Sequence, residues 1–328
     1  MSSATNLKGG SGPLKIVKKI ISKPWIWAFV AALAAFTMTM LLSGGQGATS
    51  LAYSAATFAS FAAIVGVGQM LVITLGPGNV DLSIPANMTL SATLALKFMD
   101  TENSLIIPGV FVALAVGLGC GLFNFGLILL LRIPPIIATL SASFIFQSLA
   151  IWSNRGIRVK PPEALADFTT GGILGIPNVA LVALFLAFFA WILVERSIAG
   201  RWILSIGQNL RAAQLSGVPV SLVRFGVYVS CAMCASLAGF LLANFSGGAA
   251  LNMGAEYMLM SIAVVVIGGS SIGGGNSNIP GIWGASLFMF LVVSMLNSYG
   301  FGAGVRLIMT GLIIVGVVSL ASKRSDAA

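Results

Sequence analysis

Residues 195–224 read ERSIAGRWILSIGQNLRAAQLSGVPVSLVR and lie between two uninterrupted apolar runs, 177–194 (PNVALVALFLAFFAWILV) and 225–243 (FGVYVSCAMCASLAGFLLA). Each run is long enough for a helix to cross a hydrocarbon layer of about 30 Å, and too long for a barrel strand. The polar stretch between them carries Arg196, Arg201, Arg211 and Arg224 and contains a short helix, Asn209 to Leu215, ended by Ser216 and Gly217. A membrane protein that exposes such a helix between spans offers a handle to a soluble partner.

The rest of the chain repeats this apolar theme. Of 328 residues, 58% are hydrophobic and only 8% charged, with eight acidic residues in all. A soluble surface of this size needs about three times that charge density, so lipid is the solvent for most of it. The expected fold is an all-α polytopic membrane protein with ten spans. They are placed near Trp25–Leu42, Ala56–Leu75, Ile84–Phe98, Ile106–Leu131, Pro135–Trp152, Pro177–Val194, Phe225–Ala243, Met258–Gly273, Ile279–Asn297 and Val305–Ala321. The third, fifth and eighth are short, as segments lining a substrate path often are in transporters. Residues 1–23 form a basic arm, 24–322 one permease domain and 323–328 a tail, with no separate soluble domain.

The net charge of +9 reads as topology. Lys8, Lys15, Lys18, Lys19 and Lys23 precede the first span, and Lys323 and Arg324 follow the last. Positive residues stay cytoplasmic, so both termini are expected inside. Threading the spans then leaves twelve of the seventeen basic residues on the cytoplasmic side. Arg155, Arg158 and Lys160 fall outside, in a longer loop from Ser153 to Ile176. Basic residues interleaved with aromatics on a soluble surface are missing, which argues against nucleic-acid binding. The first apolar run is too long for a signal-peptide core and is read as a span.

Chemistry has few footholds. There is no histidine, so the usual neutral-pH base is missing. Cys120, Cys231 and Cys234 lie in apolar runs without a zinc-ligand pattern. No Gly-Lys dipeptide occurs, so the glycine-rich stretch 267–280 is no phosphate loop, and no cofactor site is expected. Gly117 with Gly121, and Gly281 with Gly284, read as helix-packing sites. The segment 75–85 (LGPGNVDLSIP) breaks the apolar pattern and places Asp81 at membrane depth or its edge. Asp81 or Ser83 can serve the next helix start as a cap, with Pro85 in the first turn; a transport role for Asp81 is the alternative. An ion-coupled carrier would need intramembrane acids or histidines, and only Asp81 and Glu256 are on offer.

Three motifs resemble the permease subunits of bacterial ABC importers of the ribose-type monosaccharide family. They are Asn79-Val-Asp-Leu-Ser83, Gly207-Gln-Asn-Leu-Arg-Ala-Ala-Gln-Leu-Ser-Gly217 and Ile262-Ala-Val-Val-Val-Ile-Gly-Gly-Ser-Ser-Ile-Gly-Gly274. Their order and spacing carry the likeness over nearly the whole chain beyond the arm. The likeness implies a bacterial inner-membrane homodimer, an ABC ATPase subunit below and a periplasmic substrate-binding protein outside. The second motif then corresponds to the helix that couples to the ATPase, assigning that role to Asn209, Arg211, Ala212, Ala213, Ser216 and Gly217. The small Ala212–Ala213 pair is expected to permit close approach, and Arg201 or Arg211 to pair with acids of the partner. A neutral sugar wants hydroxyl partners and an aromatic face, for which Asn87, Ser141, Phe144, Gln147 and Asn244 are candidates beside Asp81. Arg155, Arg158 and Lys160 are candidates for docking the binding protein. Departures from the family pattern at Gly76–Asn79, Ile84–Pro85 and Asn276–Asn278 leave the cargo open, with a branched-chain amino acid or a signalling furanone as alternatives to a sugar.

Overall fold

The computed structural model describes residues 24–154, 160–300, 302, 304, 305, 307–313, 315 and 316. Arg155 and Arg158, the basic arm and the tail lie outside them. Twelve helices follow in order: α1 (Pro24–Leu42), α2 (Ala48–Thr74), α3 (Ile84–Met99), α4 (Ile106–Leu130), α5 (Pro135–Ser153), α6 (Glu163–Thr170), α7 (Asn178–Arg196), α8 (Ile198–Gln208), α9 (Leu210–Leu215), α10 (Val220–Phe245), α11 (Tyr257–Ile267) and α12 (Ile279–Ser298). Residues 307–313 are helical too. Among the described residues, seven helices are long and apolar enough to cross a membrane: α1, α2, α4 (with a preceding 3-10 turn), α5, α7, α10 and α12.

The loop between α5 and α7 contains more structure than its polar sequence announced. It holds α6 and a two-stranded antiparallel hairpin, β1 (Gly172–Ile173) and β2 (Ile176–Pro177). Leu174 and Gly175 turn the hairpin with positive φ, and Leu174 stands fully exposed at its tip.

α2 is the central post. Its apolar window is 89% buried, against 22% for α1 and 33% for α5 and α7. Small residues make this possible, since backbones approach closely only where side chains are short. Gly66 lies against Val264 and Ile282, and Gly68 against Cys231 and Cys234. The expected packing glycines behave the same way. Gly117 meets Ser236, Gly121 meets Val229, Gly281 meets Gly268 and Gly284 meets Phe29. At one end of the bundle Phe58 stacks on Phe290 and meets Phe245 edge-on, with centroids 5.2 and 5.4 Å apart.

Two of the three short spans are short in space. α3 has 16 residues and α11 has 11, or about 24 and 16 Å at 1.5 Å per residue, less than the hydrocarbon thickness. The fifth is unbroken: α5 is a continuous 19-residue helix, about 28 Å long. Its serines do not interrupt it, because Ser143 and Ser148 donate their hydroxyls to Leu140 and Phe144 carbonyls within the helix. α11 stops at Ile267, and residues 268–273, expected to continue it, form turns instead.

Contacts between loops sort them to two ends. At one, Tyr53 donates to the Thr170 carbonyl, Asn103 accepts from the Ala164 N–H, Lys97 reaches the Ser153 carbonyl and Gln147 that of Leu251. At the other, Gly275 N–H donates to the Thr74 carbonyl and Gln208 Nε2 to the Gly275 carbonyl. Arg132 and Arg224 line one cavity with Gln214 at this second end.

Candidate coupling helix and broken-span site

α9 is short, so its ends decide whether it forms. Asn209 is extended (φ −159°, ψ 103°), and its Oδ1 accepts the Ala212 N–H at 3.0 Å, which caps the first turn. At the far end the Gly217 N–H reaches Gln214 and the Val218 N–H reaches Ala213, while Gly217 takes φ 79°. The left-handed glycine lets the chain turn back and satisfy the last carbonyls. Ser216 adds a hydroxyl bond to the Ala212 carbonyl at 2.9 Å.

The two alanines of α9 do not share a free face. Ala213 is buried against its own subunit, whereas Ala212 is exposed with Asn209, Arg211, Ser216 and Gly217. Of the expected small-residue pair, only Ala212 is therefore accessible. What sequence reasoning missed is Leu215, which is 82% exposed, and the partly exposed Leu210 beside it. Apolar residues at the tips of a polar loop were the available signal. α8, just before, buries Ile203 and Ile206 and is capped by Ser197, whose Oγ accepts the Gly200 N–H at 3.0 Å. It packs against both α7 and α9.

The end of α8 meets two other segments at a point with no room for side chains. A Cβ on Gly207 would collide with the Thr74 carbonyl and the Gly275 amide. A Cβ on Gly274 would strike the backbone of Gly76, and one on Gly275 the backbone and side chain of Gln208. Gly76, Gly274 and Gly275 also need positive φ. The stretch leading to α9, the break after α2 and the glycine-rich loop after α11 are thus in direct backbone contact.

The break before α3 runs through protein, with its backbone groups met by side chains, as irregular chain at membrane depth requires. Asp81 N–H donates to Gln69 Oε1 at 3.2 Å, and Leu82 N–H to Thr139 Oγ1 at 3.0 Å. Asp81 Oδ1 accepts both the N–H and the hydroxyl of Ser83, at 2.8 and 2.6 Å. Ser83 Oγ in turn accepts from Asn124 Nδ2 at 2.8 Å and makes no cap bond to α3. Asn79 accepts from the Tyr228 hydroxyl at 3.2 Å. Asp81 therefore ties the turn one residue ahead of the helix. Its second oxygen, Oδ2, is buried without a partner, as are Gln69 Nε2, Asn87 Oδ1 and Asn124 Oδ1. Gln69, Asn124, Thr139 and Tyr228 were not singled out from sequence; they are isolated polar residues in apolar helices, legible only once the turn is seen to need partners.

The six candidates for a solute path do not converge. Asp81 and Asn87 are buried, and Asn87 Nδ2 binds the Ala232 carbonyl of α10 at 2.8 Å. Asn244 bonds back within α10 to Phe240, at 2.6 Å. Ser141 and Phe144 face outward from α5, and Gln147 holds the 246–256 loop through Leu251. Asn87, Gln147 and Asn244 are each held by a backbone carbonyl in a different place, as polar groups in apolar helices are. The loop held by Gln147 does enter the bundle: Gly254 packs on the backbone of Pro85 at the start of α3. Among the docking candidates, Lys160 is exposed.

Residues 50–318 match the protein family described as the branched-chain amino acid transport system / permease component. The autoinducer 2 import system permease protein LsrD of Salmonella paratyphi B is 29% identical over 262 residues, covering 77% of this chain and 78% of that protein. A probable ABC transporter permease protein, y4mJ of Sinorhizobium fredii, is 29% identical over 254 residues, with 77% and 75% covered. LsrD of Photorhabdus temperata is 27% identical over 309 residues, covering 91% and 92%. No solved structure matches.

Proposed function

Because this chain belongs to the family of ABC transporter permease components, we propose that it is the membrane gate of an ATP-driven importer whose motor is a separate ATPase. The observation that carries this reading is α9. It is capped at both ends, exposed at Ala212 and Leu215, and linked through Gly207 to both broken spans. Closure of an ATPase dimer around α9 would push that junction, moving the breaks at 75–83 and 268–278 in alternation. The α3 start is touched by Gly254 from one end, and its preceding turn by Gly274 from the other, so its displacement opens one side as it closes the opposite one. Two copies of this chain, a binding protein outside and a bacterial inner-membrane location complete the assembly.

The orientation follows from charge. Arg132, Arg196, Arg201, Arg211 and Arg224 share the end that carries α9, and the positive-inside rule makes that end cytoplasmic. With α3, α11 and the helix around 307–313 counted as spans, ten crossings put both termini inside. For the cargo we favour a small neutral polyol of the autoinducer 2 or monosaccharide kind. The buried groups around the α3 start are mainly amides and hydroxyls, suited to hydroxyl partners. A zwitterionic amino acid is the second reading, favoured by the unpartnered Asp81 Oδ2, the one carboxylate oxygen available to an ammonium there. Proteoliposomes containing the permease, its ATPase and its binding protein test both. Competition by ribose-like polyols and not by leucine supports the first, and the converse replaces it with the second.

A further inference from the structure

Beside α9, at the end proposed to be cytoplasmic, a cavity of about 550 Å³ opens between the end of α4, the start of α5 and the start of α10. Its chemistry is divided. Phe125, Ile128 and Leu129 make one wall apolar, while Arg132 and Arg224 bring two guanidinium groups, and among the described residues no carboxylate lines it. Arg224 Nε is buried without a hydrogen-bond partner. A buried donor of a charged group left unmade is costly, and guanidinium prefers a two-pronged oxyanion. Arg132 follows α4 in a left-handed conformation, φ 54°, which a non-glycine residue adopts only at a cost. The outer surface next to the opening is bare hydrocarbon, with Leu130 80% and Leu131 63% exposed.

We infer that this cavity binds the phosphodiester headgroup of an anionic phospholipid, with Arg132 and Arg224 on the phosphate and the acyl chains along α4 and α5. A soluble acidic partner would meet the two arginines but leave the apolar wall and the adjoining leucines uncovered. A lipid satisfies both halves at once, and basic pockets between helices on the inner side are where such headgroups collect. Gln214 of α9 and Asn79 of the α2–α3 break also line the cavity. An occupied site would therefore brace the coupling helix against the broken span. The inference needs the chain to sit in a membrane but not the coupling role proposed for α9, so each can fail alone.

The test is lipid retention by the purified full-length permease, read by native mass spectrometry from micelles holding equal phosphatidylglycerol and phosphatidylcholine of the same chain length. Two arginines at roughly fivefold each give an expected preference of about twenty-five-fold for phosphatidylglycerol. R132Q/R224Q should bring the two lipids to parity, R132K/R224K should keep part of the preference, and R196Q, on an exposed arginine away from the cavity, should keep all of it. Should the double variant fail to fold, R132Q alone should lose about fivefold. The inference is overturned if the wild type shows no preference, or if R196Q loses as much as R132Q. Displacement of the lipid by excess inorganic phosphate would overturn it in favour of a free-phosphate site. Displacement by the ATPase subunit would overturn it in favour of a protein contact.

Discussion

Substituting Gly207 by alanine isolates the link between α9 and the broken spans. The new methyl would point at the Thr74 carbonyl and the Gly275 amide, which are bonded to each other at 3.0 Å, and would lie 2.9 Å from the Gly275 Cα. These are backbone atoms, so no side-chain rotation relieves the clash. Overpacking of one methyl costs about 1–3 kcal/mol. Parting Gly275 from Thr74 leaves a buried donor unmade, at roughly another 1–3 kcal/mol. Alanine returns about 1 kcal/mol of helix propensity in α8. The net, about 3 kcal/mol, is enough to shift the junction's preferred geometry on the order of a hundredfold. Reconstituted G207A complexes should therefore hydrolyse ATP but import at least about tenfold less solute per ATP. G226A is the control, since its Cβ would meet nothing within 4 Å, and it should import normally. A folded G207A variant with wild-type uptake per ATP would refute the idea that motion passes through this contact.

Other outcomes follow from the same geometry. N209A removes the α9 cap, worth about 1 kcal/mol, and should lower uptake several-fold, with N209D restoring most of it. L215D, on an 82% exposed leucine, should leave the permease folded but cut ATPase co-purification; undiminished co-purification removes Leu215 from the interface. N124A deprives Ser83 of its 2.8 Å donor and should lower the Tm, by an amount corresponding to about 1–2 kcal/mol, without changing ATPase binding. In a cysteine-free background, an impermeant thiol reagent added outside intact cells should label L174C and spare S216C; the reverse pattern would invert the orientation.

Much of the fold can be read directly in the chain. Apolar runs fix where the long helices go because backbone in lipid has few alternatives. α9 was legible because capping is local: Asn209 and Gly217 act within three residues of themselves. The span placed at Pro135–Trp152 is likewise an unbroken helix, α5, whose Ser143 and Ser148 hydroxyls bond back to the preceding turn. The site resisted because its bonds are long-range. Leu82 finds Thr139, Asn79 finds Tyr228 and Gly275 finds Thr74 across wide sequence separations. No periodicity announces those pairs. Ala213 could not be told from Ala212 without knowing which side α8 covers.

The proposed function requires ATP-driven movement of solute through this subunit by a separate motor. Uptake should be measured in proteoliposomes holding the permease with its ATPase and binding protein, beside vesicles holding the permease alone. Accumulation that requires ATP and the ATPase, and that vanishes when the motor's catalytic base is replaced, is the expected result. Accumulation by the permease alone under a proton gradient would contradict it.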